Sequence, residues 1–202
     1  MCARSLNVCN FLQGISTEVL TTEPCVQLLE KLFNDLFEKT EKTILISGAE
    51  EPLYLPINEN NKLNRIFSTK DYFSSALHEI SHWCVAGVKR RELVDYGYWY
   101  EPDGRSQEQQ LLFEKVEVKP QALEWLFTEA SGQKFGLSVD NVNQPEMKPS
   151  EDFKVRVYHQ VQAYLEDGLP DRAQLFLTAL LYYFKANSPH LNLNDFDLLS
   201  LG

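Results

Sequence analysis

Cysteine is scarce in this sequence, and the few cysteines do not form a recognisable metal or disulfide pattern. The 202 residues include four cysteines, at Cys2, Cys9, Cys25 and Cys84, and none of them belongs to a CxxC pair. This spacing argues against a Cys-based zinc site and against a disulfide framework. We therefore expect reduced thiols in a cytoplasmic protein.

Long apolar runs and basic residues are also lacking. No segment approaches the roughly 20 apolar residues of a membrane span, and the opening residues, MCARSLNVCNFLQGIST, contain no apolar run of signal-peptide length. With 19 Lys and Arg against 29 Asp and Glu, the net charge is −10. That charge disfavours binding to nucleic-acid phosphates or to anionic lipids, so we expect neither nucleic acid nor membrane as a partner.

The hydrophobic pattern predicts a folded α+β chain. The sequence is 44% hydrophobic, which is enough for a substantial core at this length. Residues 42–57 have the pattern of a strand, a turn and a second strand, and the segment NRIFST at 64–69 that of a third. Helical spacing of apolar residues recurs in residues 21–40, 106–131, 153–168 and 170–186. We expect helices packed on a small mixed or antiparallel sheet in a single domain over residues 1–202, with 1–22 as a loosely ordered N-terminal extension.

Local signals predict how two of the helices begin, end or bend. Ser68 and Asp71 resemble a capping box at the start of a helix within the segment 68–87, and Gly87 is typical of the residue that follows a helix end. Pro120 lies within the long helical segment 106–131, where it predicts a kink or a break into two helices.

Histidine is rare too, yet two of the four histidines lie close together. His78 and His82 flank Glu79 in an HExxH motif. Because each residue turns an α-helix by about 100°, histidines four apart project from one face and can chelate one ion. The apolar residues of the segment lie roughly on the opposite side, where they can enter a core: Phe73, Leu77, Ile80, Cys84 and Val88. The pattern predicts a metal-binding helix whose histidines face a cleft.

A tight site needs a third ligand, and a carboxylate from the later segment QLLFEKVEVKPQALEWLF is the natural candidate. Glu117 lies between Val116 and Val118, an apolar setting in which a bare carboxylate would be costly and a metal would offset that cost. Glu114 stays open as the alternative ligand. Glu124 is seven residues after Glu117, so the two would share a face of a continuous helix.

Two chemistries fit a His, His, Glu donor set. With Zn²⁺, Glu79 would act as general base in a gluzincin-type metallopeptidase. With Fe(II), two histidines and one carboxylate form the facial triad of non-haem oxygenases. The ligand types alone do not decide between them, although a helix-borne HExxH more often binds zinc.

Longer motifs surround the two histidines. The segments HEISHWC, RRELVDYGYWY, PDGR and VEVKPQA, densest over residues 50–130, resemble the bacterial elongation factor P hydroxylase family. The resemblance implies a zincin-like fold that serves an oxygenase, which hydroxylates a lysine of elongation factor P already carrying a β-lysyl group. It also implies Fe(II) held by His78, His82 and Glu117, with O₂ as co-substrate. No motif indicates the reductant.

The resemblance leaves the other site residues to be assigned. Glu79 becomes a catalytic residue whose task is to orient a ligand or to move a proton. An acidic, aromatic chain can receive a cationic substrate, and the candidate substrate-binding residues are Tyr98, Tyr100, Asp103 and Arg105, with Tyr96, Trp99 and Glu101 nearby. Arg105 either stabilises its turn or anchors the partner protein. The alternative functions are a zinc metallopeptidase and a non-catalytic zincin-like module that binds a translation factor.

Overall fold

The computed structural model describes residues 24–95, 105–139, 148–185 and 190–201. Within these ranges the chain has an α+β architecture, as predicted. Its helices are α1 Val26–Phe37, α2 Phe73–Val85, α3 Gln107–Ala130, α4 Glu151–Asp167 and α5 Asp171–Phe184, and its strands are β1 Thr43–Ala49, β2 Leu53–Leu55 and β3 Asn64–Thr69. Short 3₁₀ turns lie at Arg90–Glu92, Leu193–Asp195 and Leu198–Leu201. Along these ranges no helix is both long and apolar enough to cross a membrane.

The three strands form one mixed sheet in the order β1-β3-β2. Strand β3 pairs in parallel with β1 and antiparallel with β2. The central Ile66 lies opposite Leu45 of β1 and Tyr54 of β2 in this register, and both Leu45 and Ile66 are buried. The sheet thus supplies one apolar surface on which the helices pack.

Aromatic side chains fix α2 in the core. The Trp83 ring lies 5.1 Å from Phe33 and 4.9 Å from Phe37, both on α1, measured between ring centroids. Phe176 of α5 contacts Phe33 at 6.0 Å and Phe127 of α3 at 5.1 Å. Because Trp83 directly follows His82, this packing also fixes the position of the histidine pair relative to the core.

Arg172 of α5 fixes the C-terminal end of α2. Its Nη2 donates to the carbonyl oxygens of Trp83, Cys84 and Ala86 at 2.8, 3.2 and 2.7 Å. Its guanidinium carbon lies 4.5 Å from the centre of the Trp83 ring. The last carbonyls of a helix have no partner inside that helix, so a cationic donor here both satisfies them and complements the helix dipole.

The capping box predicted from Ser68 and Asp71 is wrong. Ser68 is fully buried inside β3, and α2 begins only at Phe73, after Tyr72, whose side chain makes no capping hydrogen bond. Pairing with β1 carries the strand through Ser68 and up to Thr69, so the helix starts later than the local pattern predicts.

The predicted break at Pro120 is also wrong, because α3 runs without interruption from Gln107 to Ala130. The alternative, a kink at Pro120 within one helix, stays a prediction. Proline removes one backbone hydrogen bond of the helix. Residues 120–128 are all buried, and this continuous packing offsets the lost bond.

The buried apolar side chains of all five helices and of the sheet belong to one contiguous core. A single domain over residues 1–202 stays a prediction. The expected extension at residues 1–22 lies outside the described residues.

Candidate metal centre and adjacent cleft

Helices α2 and α3 bring His78, His82 and Glu117 together. The His82 Nε2 atom lies 3.2 Å from Glu117 Oε1 and 3.1 Å from His78 Nε2, and His78 Nε2 lies 3.9 Å from Glu117 Oε2. One potential ligand atom from each residue falls within 4.8 Å of the others. Two imidazole nitrogens and one carboxylate oxygen at this spacing suit either Zn²⁺ or Fe(II).

Two further side chains of α3 hold the cluster in position. Glu124 Oε2 lies 2.7 Å from His78 Nδ1, which leaves Nε2 of that ring directed at the centre. Gln121 Nε2 donates to Glu117 Oε2 at 3.1 Å and to the Ser138 carbonyl at 2.7 Å. Such partners set the tautomer and the orientation of metal ligands.

Sequence reasoning missed these two supporting roles, although spacing signals for them exist. Gln121 and Glu124 follow Glu117 by four and seven residues and so share its helix face.

The charges of the cluster favour a cation at its centre. Burial by itself would raise the pKa of Glu117, but His82 and His78 lower it to about 2. Burial would likewise lower the pKa of both histidines. Glu124 and Glu117 nevertheless raise the pKa of His78 to about 10, and Glu117 raises the pKa of His82. The two carboxylates thus stabilise positive charge on the imidazoles, and a metal ion would replace those protons.

Glu114 lies elsewhere, at the interface of α3 with α4. It accepts hydrogen bonds from the Ser150 hydroxyl at 2.6 Å and the Ser150 N–H at 3.4 Å, and it lies 3.7 Å from Arg156 Nη2. Ser150 is the N-cap of α4. Glu114 therefore anchors the start of α4, and among the described residues Glu117 is the α3 carboxylate that meets both histidines.

Glu79 does not belong to the metal cluster but faces a cleft beside it. The cleft has a volume of about 220 Å³ and is lined by apolar side chains together with the polar side chains of Tyr54, Glu79, His82, Arg90, Arg91 and Asp95. Burial raises the pKa of the Glu79 carboxyl. Within the described part of the chain, no hydrogen bond or ion pair engages this carboxylate. Its position next to His82 leaves it free to contact a molecule in the cleft.

Comparison with known proteins decides the family. The model of the family described as elongation factor P hydroxylase matches residues 32–196. The chain belongs to the elongation factor P hydroxylase family. It is 48% identical over 167 residues, 83% of this chain and 93% of the relative, to the elongation factor P lysine hydroxylase of Haemophilus influenzae. The resemblance noted in the sequence is thereby confirmed, and the chain is an enzyme of the protein-lysine hydroxylase type.

Most of the residues predicted to bind the hydroxylase substrate fall outside the described ranges. These are Tyr98, Tyr100 and Asp103, with the neighbouring Tyr96, Trp99 and Glu101. Their role stays a prediction.

Arg105 is described, and it is 5% exposed. Its Nε donates to Gln110 at 3.0 Å, its Nη2 donates to the Val139 carbonyl at 2.6 Å, and its guanidinium carbon lies 4.0 Å from the centre of the Phe113 ring. These contacts attach Arg105 to α3 and to Val139, while the turn that precedes it lies outside the described residues, so its turn-stabilising role also stays a prediction. Substrate binding by this residue stays a prediction.

Proposed function

We propose that this enzyme hydroxylates a lysine of elongation factor P, and that this lysine already carries a β-lysyl group. The name of the Haemophilus influenzae relative specifies a lysine of elongation factor P as substrate. The observation that carries the proposal for this chain is the His78, His82 and Glu117 cluster at the edge of an open cleft. A protein side chain can enter that cleft and bring a C–H bond close to the cluster.

His78, His82 and Glu117 would hold Fe(II), and iron in this ligand set would supply the activation of O₂, the proposed co-substrate. Zinc suits the same donors, and it is the alternative metal. Zn²⁺ has no redox chemistry, whereas insertion of oxygen into a C–H bond is an oxidation. Hydroxylation therefore favours iron.

The remaining groups of the site orient the metal ligands and contact the substrate. Glu124 fixes His78 through Nδ1, and Gln121 holds the free oxygen of Glu117. Glu79 presents its carboxylate to the cleft, as a group that touches the substrate rather than the metal. The apolar residues along the cleft, among them Ile66, Val85 and Val116, exclude water from the bond that reacts.

The overall reaction breaks one C–H bond and forms one C–OH group. One atom of O₂ enters the product, and the other leaves as water after taking up two electrons and two protons. We infer an external reductant, whose identity is unknown. We also propose that the fold is zincin-like, since the metal ligands come from an HExxH helix, and that the enzyme acts in the cytoplasm, where it would meet a translation factor.

Mass spectrometry of the substrate tests the proposal. The protein loaded with Fe(II) is incubated with O₂, a chemical reductant and elongation factor P that carries β-lysyl-lysine. The expected product is heavier by one oxygen atom on the modified lysine, and the His78→Ala variant forms none. His159→Ala is the matched control, because His159 is an exposed residue of α4.

Other results would support a different function. Cleavage of peptide chains that requires zinc and is lost in the Glu79→Gln variant would support a metallopeptidase. An unchanged substrate, together with binding that survives His78→Ala, would support a non-catalytic module that binds the translation factor. Either result would overturn the proposed hydroxylation.

A further inference from the structure

The cleft beside the metal cluster combines apolar walls with a few charged groups. Its apolar wall includes Ile66, Val85, Ala86, Val116 and Pro120. Aliphatic and proline surfaces of this kind suit a chain of methylene groups, which gains free energy when it leaves water. A bulky charged head group with no apolar stem would leave these walls uncovered.

The two arginines of the cleft already have carboxylate partners. Arg90 pairs with Asp95, and Arg91 lies 3.0 Å from Glu41. Since both guanidinium groups are neutralised in this way, the described walls do not favour an anionic ligand. Tyr54 adds an aromatic ring, and its hydroxyl donates to the Arg91 carbonyl at 2.9 Å.

Glu79 and Asp95 are the two carboxylates of the described walls, and they differ in their partners. Asp95 accepts from Arg90, whereas no described side chain forms a hydrogen bond or an ion pair with Glu79. It stands in the sequence next to His78 but does not join the His78, His82 and Glu117 group. A half-buried carboxylate in such a position is poised to accept from a cationic donor in the cleft.

We propose that this cleft is the subsite for an aliphatic side chain that ends in a primary ammonium group, with Glu79 as the acceptor of that ammonium. The methylene stem lies along Val85, Val116 and Pro120, and the ring of Tyr54 contributes a cation–π surface. The inference rests on the proposed function, and it names the part of the lysyl substrate that the enzyme recognises. Glu79 is then a specificity residue that places the reacting C–H bond by holding the amine beyond it.

Binding measured without oxygen separates this inference from the hydroxylation itself. The first probe is elongation factor P that carries β-lysyl-lysine. The second probe is the same protein after the free amines of its modified lysine have been acetylated. Each probe is titrated against metal-loaded enzyme in the absence of O₂. For the wild type we expect acetylation to weaken binding about tenfold or more, since a charge-assisted contact is lost. The Glu79→Gln variant should bind the free amine as weakly as the acetylated form, and Glu79→Asp should restore part of the discrimination.

Glu92→Gln is the matched control, because Glu92 is an exposed residue of the nearby turn Arg90–Glu92. It should discriminate between the two probes as the wild type does. Metal content is measured in every variant, so that loss of iron is not mistaken for loss of the ammonium contact.

Three outcomes would overturn the inference. The wild type could bind both probes equally, and this outcome does not depend on whether any variant folds. Glu79→Gln could keep full discrimination. It could also keep its affinity while losing turnover in O₂, which would make Glu79 a proton-transfer group. The wild type could also discriminate between the two probes as expected but insert no oxygen. That result would overturn the proposed hydroxylation and leave the proposed subsite unaffected.

Discussion

At the scale of single residues, the helix α3 carries both a proposed ligand and the groups that support the cluster. Glu117 reaches His82, Gln121 holds the other oxygen of Glu117, and Glu124 holds His78. Since the three residues follow one another at intervals of four and three, one face of α3 presents all of them. The same helix places Glu114 in contact with α4 instead.

The identity of the third ligand can be tested by two substitutions on the same helix. Glu117→Gln should lose most of its bound metal, because a neutral amide replaces the buried carboxylate that meets both histidines. Glu114→Gln should keep its metal and lose about 1–3 kcal/mol of unfolding free energy, because Ser150 and Arg156 lose an ionised acceptor. Elemental analysis and denaturant unfolding measure these effects. Loss of metal in Glu114→Gln alone would reverse the assignment.

Glu124 acts on the metal through His78, and this indirect role is also measurable. Glu124→Gln should weaken metal affinity by about 10–100-fold, as is usual when a histidine ligand loses its carboxylate partner. Competition with a chelator of known affinity gives the value. Glu108→Gln, an exposed position in the first turn of α3, is the control. An unchanged affinity in Glu124→Gln would contradict the orienting role.

The sequence identifies the histidine pair more directly than the carboxylates. The i,i+4 spacing of His78 and His82 suffices, because the helix alone sets their geometry. The sequence argument for Glu117 used its apolar neighbours, yet Val116 is 46% exposed, since adjacent residues of a helix point in different directions. The contact of His78 with Glu124, across 46 residues of chain, depends on how two helices cross and leaves only a spacing signal in the sequence.

At the scale of secondary-structure elements, α2 is held at its C-terminal end by a residue far away in the chain. Arg172 donates to three carbonyls there and lies over Trp83. Glu41 lies 3.9 Å from the same guanidinium. The turn that carries the second histidine is thus fixed from α5 as well as from its own helix.

Arg172→Met should loosen this end of α2. The three carbonyls lose a cationic donor, so we expect a loss of about 1–3 kcal/mol in unfolding free energy and faster amide hydrogen exchange at Ala86, whose N–H bonds the His82 carbonyl. Denaturant unfolding and hydrogen exchange measure the two effects. Lys115→Met, at an exposed position of α3, should change neither. Unchanged exchange at Ala86 in Arg172→Met would contradict the capping role.

Local rules predict the existence of the elements better than their boundaries. The three strands and the long helix at 106–131 are confirmed, because their apolar periodicity reflects the buried faces. Ser68 does not start a helix because the pairing of β3 with β1 continues past it. Pro120 does not break α3 because the residues after it are buried. In both cases tertiary contacts outweigh a local preference.

At the scale of the whole molecule, the core buries two groups that lose protons at high pH. Burial raises the pKa of the Cys84 thiol to about 12 and that of the Tyr164 hydroxyl to about 12, from ordinary values of 9.0 and 10.0. Both groups therefore keep their protons in the folded state at a pH where the unfolded chain releases them.

The free energy of unfolding should consequently fall as pH rises from about 9 towards 12. Each group contributes roughly 1.4 kcal/mol per pH unit over its own window, because the unfolded state then binds fewer protons than the folded state. Cys84→Ala should show a shallower fall than the wild type between pH 9 and 10, where Tyr164 contributes less than it does at higher pH. Denaturant unfolding across this pH range measures both slopes. Equal slopes in the two proteins would contradict the burial of an intact thiol.

The fold class follows from the order of patterns in the sequence, but the arrangement of the sheet does not. Alternating and helical periodicities predict α+β with a small sheet. The parallel pairing of β1 with β3, and the placement of β2 on the outer side of β3, depend on packing against helices that the periodicity does not locate.

Isotope labelling of the product tests the central claim most directly. The Fe(II)-loaded enzyme is given elongation factor P that carries β-lysyl-lysine, a reductant and O₂ made from heavy oxygen, in ordinary water. An oxygenase that uses His78, His82 and Glu117 should leave one heavy oxygen atom on the modified lysine, and Glu117→Gln should leave none. An ordinary oxygen atom taken from water, or a substrate of unchanged mass, would contradict the account.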